Sequence, residues 1–242
     1  MIVPIYLWLN SDPNTVTIIT MGLIFFVFLG LVKFWGKNIY QEDLFRRYGL
    51  VWTRQNGIYL VKGLAIGLLF TWSLFFLEAM LGWVEFKTSS VVLIKIVLEG
   101  LLSALGIAFA EELLFRGWLL DELTRDYSLR VVLWADGLIF ASLHFIKPVE
   151  EVVRTAVTFP ALFLLGLTLV WAKRSHFQHL GITIGIHGGL VWGYYILNVG
   201  QLVIYTGTVP PWITGIDGNP IAGLMGLFFL GILAVIMRKK AG

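Results

Sequence analysis

The chain of 242 residues contains no cysteine. Disulfides, thiolate catalysis and lipidation through sulfur are therefore excluded, although the absence names no compartment. Charge is scarce as well: Asp, Glu, Lys and Arg make up 14% of the residues, where soluble domains carry about a quarter. With 58% hydrophobic residues and a mean hydropathy of +0.83, the composition is that of an integral membrane protein. The N-terminal stretch "MIVPIYLWLNSDPNTV" lacks a basic n-region, which predicts no cleaved signal peptide and a first apolar segment kept as an anchor. No low-complexity segment and no inverted repeat of hydrophobic segments is visible. A single polytopic membrane domain over 1–242 is predicted, with its motif-bearing core at about 90–206.

What is present is a series of apolar runs. A hydrocarbon core of ~30 Å needs about 20 helical residues, and seven stretches qualify: 15–36, 58–83, 90–116, 130–147, 153–172, 180–206 and 220–237, the fourth being short. Basic residues test that count. Lys37, Arg46, Arg47 and Arg54, then Arg125 and Arg130, then Lys173 and Arg174, and finally Arg238, Lys239 and Lys240 fall on alternate connections, while the other side is poor in them. The positive-inside rule then predicts an outside N-terminus and a cytoplasmic C-terminus. The net charge of +3 and pI near 9.1 express this bias and not nucleic-acid affinity. The connection "GKNIYQEDLFRRYGLVWTRQNG" predicts an interfacial amphipathic helix, and "TGTVPPWITGIDGNP" a Gly- and Pro-rich loop without chemistry of its own.

Against this apolar background the buried polar residues stand out. "AEELLFRG" places Glu111, Glu112 and Arg116 at the end of the third run. Charges within a membrane are costly, so they face the bundle interior, pair and mark function. Glu112 and Arg116, four apart, share a helix face and can form a charge-assisted pair. Such a pair can also be no more than an interfacial clasp between helices. Glu111 is rotated about 100° away and has no cation close in sequence. The fourth run contributes "LIFASLHF", with Phe140 and His144 four apart on one face, and the sixth "IGIHGGLVW", with His187 before Gly188 and Gly189. The two glycines admit close approach by a neighbouring helix or by an extended peptide.

A carboxylate and imidazoles can take a proton from water and return it to a leaving amine. The same ligand types suit a catalytic zinc with one open position. No HExxH occurs, so a zincin helix is excluded. Asp136, eight residues before His144, is a supporting candidate; Glu78, Glu99, Lys62 and Lys95 read as internal pairs or snorkelling groups, and His176 and His179 as solvated.

These residues resemble a known family. Glu111, Glu112 and Arg116 read as its EExxxR motif, Phe140 and His144 as FxxxH, and His187 as the third-motif histidine of the CAAX-processing and bacteriocin-self-immunity (CPBP, or Abi) intramembrane proteases, which include the type II CAAX prenyl endopeptidases. The resemblance runs from the third to the sixth apolar run. It implies that Glu111 and His144 activate the attacking water, that His187 assists the oxyanion, that Glu112 and Arg116 support the site and that Phe140 packs beside His144. Zinc held by His144, His187 and Glu111 is the alternative it leaves open. Val191 stands where the family commonly has a second donor, Asn, and Asn198 is too far along the helix to replace it.

The expectation is an all-α bundle of about seven transmembrane helices with its active site between spans three, four and six, opening toward the cytoplasm. Its partners would be the lipid bilayer and a membrane-held peptide or protein substrate, prenylated in the CAAX members, cut near the cytoplasmic face. A non-catalytic immunity or scaffold protein keeping the same polar core is the rival class, and a transporter using Glu and His as a proton relay comes third.

Overall fold

The computed structural model describes residues 13–89 and 91–242, with side chains from residue 19 onward. Residues 1–12, ahead of the expected first span, and Ser90 at the expected start of the third span lie outside the described residues. The chain divides into two compact units, Met1–Arg47 and Tyr48–Gly242. The first unit holds α1 (Pro13–Trp35), a wide π-helical turn at Gly36–Tyr40 and a single helical turn at Leu44–Arg47. These short pieces replace the amphipathic helix expected for the first connection. Gln41, left-handed at φ 55°, ends the π turn and breaks what would have been a continuous helix.

In the second unit the helices are α2 (Arg54–Met80), α3 (Leu93–Glu112), α4 (Leu120–Asp126), α5 (Leu129–Leu143), α6 (Val149–Thr155), α7 (Phe159–Arg174), α8 (Gly181–Val199) and α9 (Leu224–Ala241). A π-helical segment, Leu113–Leu119, joins α3 to α4, so Leu93–Asp126 is one helix of 34 residues. It runs well past the boundary expected at residue 116. Thus Glu111 and Glu112 lie mid-helix and not one turn from its end. Two three-residue strands, β1 (Val84–Phe86) and β2 (Val203–Tyr205), pair antiparallel and interrupt the otherwise helical architecture. Because β2 claims residues once assigned to the sixth span, α8 ends at Val199.

By length and composition, four helices among the described residues can cross a membrane: Ile19–Tyr40, Arg54–Met80, Leu93–Asp126 and Val149–Arg174. α5 has only 15 residues, about 22 Å, short of the ~30 Å hydrocarbon core. The burial pattern is that of a membrane protein. Leu69, Leu102 and Phe228 are exposed while Glu112, Arg116, Asp136 and His187 are buried. Exposed apolar and buried polar surface together invert the arrangement that water imposes.

The tightest packing is between α2 and α8, which run parallel. Thr53 caps α2 by accepting from the Asn56 N–H at 3.2 Å. Asn56 then donates to the Val51 carbonyl at 2.9 Å and accepts from the Gly181 N–H at 2.9 Å, tying the starts of both helices together. Above this clamp the backbones almost touch. A Cβ built on Gly63 or Gly67 would lie 2.5 or 2.3 Å from the Ile182 or Ile186 carbonyl oxygen. The approach is reciprocal: one on Gly185 or Gly189 would lie 2.2 or 2.3 Å from that of Leu60 or Leu64. This is a pair of interlocked Gly-xxx-Gly faces, with the Thr71 hydroxyl donating across to the Leu190 carbonyl at 3.3 Å. Gly189 is therefore spent on a neighbouring helix and not on a peptide.

Replacing Gly67 or Gly185 by Ala should force the helices apart and cost about 1–3 kcal/mol, the usual range for overpacking. A lower thermal midpoint in detergent for both variants, with the exposed Gly106→Ala as an unaffected reference, is the expected outcome.

Candidate active site

The three motif-bearing segments converge. Their anchor is Arg116, fully buried in the π segment, where the wide turn carries its side chain across the bundle. Its Nη1 donates to Glu112 Oε1 at 3.1 Å and its Nη2 to the Gly166 carbonyl at 3.2 Å. Its Nε stands 3.6 Å from Asp136 Oδ2. The guanidinium also lies over the Phe140 ring, 4.2 Å from the centroid, a cation–π contact strengthened by the dry surroundings. Glu112, Arg116 and Asp136 are each 0% exposed, so this ion-pair network has no water to fall back on. The expected Glu112–Arg116 pair is present, and Asp136 joins it as a second carboxylate. Lys173 contributes from α7, where its ammonium donates to the Arg116 carbonyl. It had been counted with the basic connections, but it is buried within the last turn of α7.

Upon this network sit the two histidines. Nδ1 of His187 is 2.9 Å from Glu112 Oε1, so the nitrogen facing the carboxylate carries the proton. Nδ1 of His144 is 2.7 Å from the Phe140 carbonyl, which can only accept. Both rings therefore turn Nε2 the same way. Those atoms stand 3.8 Å (His144) and 3.9 Å (His187) from a single oxygen, Glu111 Oε2. Such separations are beyond direct hydrogen bonding and are of the kind a bridging water spans. Among the described residues Glu111 Oε2 has no hydrogen-bond partner. Phe140, wholly buried, holds both rings edge-on, with centroids 4.7 Å from His144 and 6.3 Å from His187.

His144 is not within a helix, as its spacing from Phe140 had implied. α5 stops at Leu143 and His144 is its C-terminal cap. The helix end gives the ring its position beside Glu111 without demanding that α5 continue through the cluster.

A cavity of about 340 Å³ adjoins the cluster, with Glu111, Phe140, His144 and His187 on its wall. The rest is mostly apolar, including Ile107, Leu74 and Val191, and its far end is formed by Asn219, Pro220 and Ile221. These lining residues lie on the side of the cluster away from the basic helix ends. Phe115, Arg116 and Asp136 fill the side toward them. The volume thus lies toward the helix ends opposite the basic ones. Val191 does line it, and Asn198 does not. Asn219 was missed because it belongs to a connection whose Gly and Pro content signals only a turn; its side chain accepts from the Ile221 N–H at 3.2 Å.

Among the described residues no three His, Asp or Glu side chains are grouped so as to hold a metal ion. His176 and His179, expected in solvent, instead sit half-buried with their rings edge-on to Tyr59, at 4.9 and 5.4 Å. Burial, followed by the positive charge of Lys240 and Lys62, holds His176 below the ordinary histidine range. Among the described residues Glu78 is neither paired nor snorkelling. It is 0% exposed and neither carboxylate oxygen has a hydrogen-bond partner there.

Removing one partner of the dry pair should strand the other charge. Glu112→Gln and Arg116→Ala are each expected to lose on the order of 3–5 kcal/mol of stability, whereas Glu111→Gln should melt like the parent. Thermal unfolding of the three purified variants checks this; equal midpoints would remove the structural role of the pair.

Residues 93–193 match the family model described as type II CAAX prenyl endopeptidase Rce1-like. No curated protein and no solved structure matches the chain.

Proposed function

We propose, from the match of residues 93–193 to the model of the type II CAAX prenyl endopeptidases, that this integral membrane protein is an intramembrane endopeptidase acting through a water held by Glu111 and His144. The observation that supports this most is the convergence of both Nε2 atoms on Glu111 Oε2. A water between them donates one hydrogen to the Glu111 carboxylate and the other to Nε2 of His144. As its oxygen attacks the scissile carbonyl carbon, one proton passes to this pair, and the pair returns it to the departing amine nitrogen when the C–N bond breaks. His187, its ring fixed by Glu112, presents Nε2 to the same point. With a second proton on Nε2, its charge balanced by the Glu112 carboxylate at Nδ1, the ring donates to the carbonyl oxygen as negative charge develops. Val191 offers no second donor at the cavity wall. Glu112 and Arg116 fix His187, and Phe140 spaces the two imidazoles.

The apolar lining suits a substrate whose reacting bond is carried next to a long apolar group, in line with the membrane-associated prenylated proteins on which the family acts. In this reading α1, α2, α3 with α4, α5, α6 with α7, α8 and α9 make seven crossings, with the N-terminus outside and the site among the third, fourth and sixth.

Glu111→Gln and His144→Ala should each lower cleavage of a prenylated CAAX peptide by about 10²–10⁴. The double variant should be little worse than either, because both act on one proton path. Activity should survive exhaustive chelation; zinc at one per chain, lost and restored together with activity, would replace this mechanism by a metal-dependent one. If no peptide is cut in a manner that depends on Glu111, the non-catalytic interaction protein becomes the better reading.

Topology is checked separately. Reporter fusions after Gly36, Trp83, Arg125, Pro148, Arg174, Pro211 and Lys240 should alternate in compartment, beginning inside. Two consecutive fusions on one side would end the seven-crossing arrangement.

A further inference from the structure

A second concavity, of about 580 Å³, lies between the C-terminal ends of α7 and α9, lined by Trp171, Arg174, Val235, Arg238 and Lys239 together with the last two residues of the chain. Solvated positive-inside charges ordinarily splay apart. Here three cationic side chains from two helices face one hollow, and no Asp or Glu side chain lines it. Arg174 is held in place by donating Nη2 to the Leu129 carbonyl at 2.8 Å, which leaves further N–H groups free. The Arg238 guanidinium lies over the Trp171 ring, 5.9 Å from its centroid. Stacking orients a cation without neutralising it. Converging positive charge costs free energy unless an anion is shared between its sources. Beside the charges, Val235 is exposed on α9 and offers an apolar flank. Tryptophan and basic side chains together are what the headgroup level of a bilayer selects.

We propose that this cleft binds the phosphate of an anionic membrane lipid, held by Arg174, Arg238 and Lys239 with an acyl chain along Val235. The site is separate from the Glu111 cavity and shares no lining residue with it.

Trp171 makes the test direct, since bromine on a lipid chain quenches a nearby indole. The full chain is reconstituted in phosphatidylcholine vesicles and titrated with brominated phosphatidylglycerol or brominated phosphatidylcholine, with Trp171→Phe isolating the signal of that ring. The glycerol lipid should quench Trp171 at a lower mole fraction than the choline lipid. Each cation removed should weaken the preference about fivefold, so Arg238→Gln with Lys239→Gln should nearly abolish it. Arg238→Lys, which keeps the charge, should retain most of it and guards against a misfolded double variant. Equal quenching by the two lipids, or a preference that persists in the double variant, overturns the proposal. Inorganic phosphate separates the two sources of the group: millimolar phosphate should leave the lipid preference standing, and its loss at micromolar phosphate would make free phosphate the ligand and overturn the lipid assignment.

Discussion

The arrangement depends on two helical backbones meeting without side chains between them. Gly63 and Gly67 on α2 face Gly185 and Gly189 on α8, and no Cβ fits at any of the four. In a bilayer there is little hydrophobic gain in bringing helices together, so close van der Waals approach takes over that role. One face of α8 is consumed in this way. The opposite face is left to carry His187 toward Glu112, and the Asn56 to Gly181 clamp sets the axial position at which that meeting occurs.

Charge then organises the remaining helices. Arg116 is shared by Glu112 on its own helix, Asp136 on α5, the Gly166 carbonyl on α7 and the Phe140 ring. This fully buried guanidinium donates to Glu112 on its own helix and to α7, and stands beside Asp136 on α5, so it ties three helices at one point. Supporting and reacting functions are thereby divided between adjacent residues. Glu112 faces the ion network, whereas Glu111, rotated by one residue, faces the cavity with an oxygen that has no hydrogen-bond partner among the described residues.

The membrane class, the helical architecture and the Glu112–Arg116 pair were legible because each rests on local pattern: composition, length of apolar run, or a spacing of four. The convergence of His144 and His187 on one oxygen was not derivable from spacing, since it needs three segments to meet. The Gly63 and Gly67 pair went unread although its spacing is plain. A glycine repeat reveals its purpose only beside its partner, and the partner lies more than a hundred residues away. Lys173 looked like the first charge after a span because hydropathy cannot say that α7 continues and turns that ammonium inward. The same blindness hid the cavity, whose far wall is made by a connection that carries only turn chemistry.

That far wall bears on how the chamber can breathe. A Cβ on Gly226, in the first turn of α9, would lie 1.9 Å from the Pro220 carbonyl oxygen, so the connection at Asn219–Ile221 is pressed against the helix it precedes. Such contacts resist sliding, as close-packed interiors do. The connection and the start of α9 therefore form one stiff panel and not a floppy flap, while α2 and α8 are locked on the opposite side. Gly215 belongs to the same panel: its φ of 137° is one that only glycine adopts freely, and a Cβ there would lie 2.3 Å from the Asn219 carbonyl oxygen.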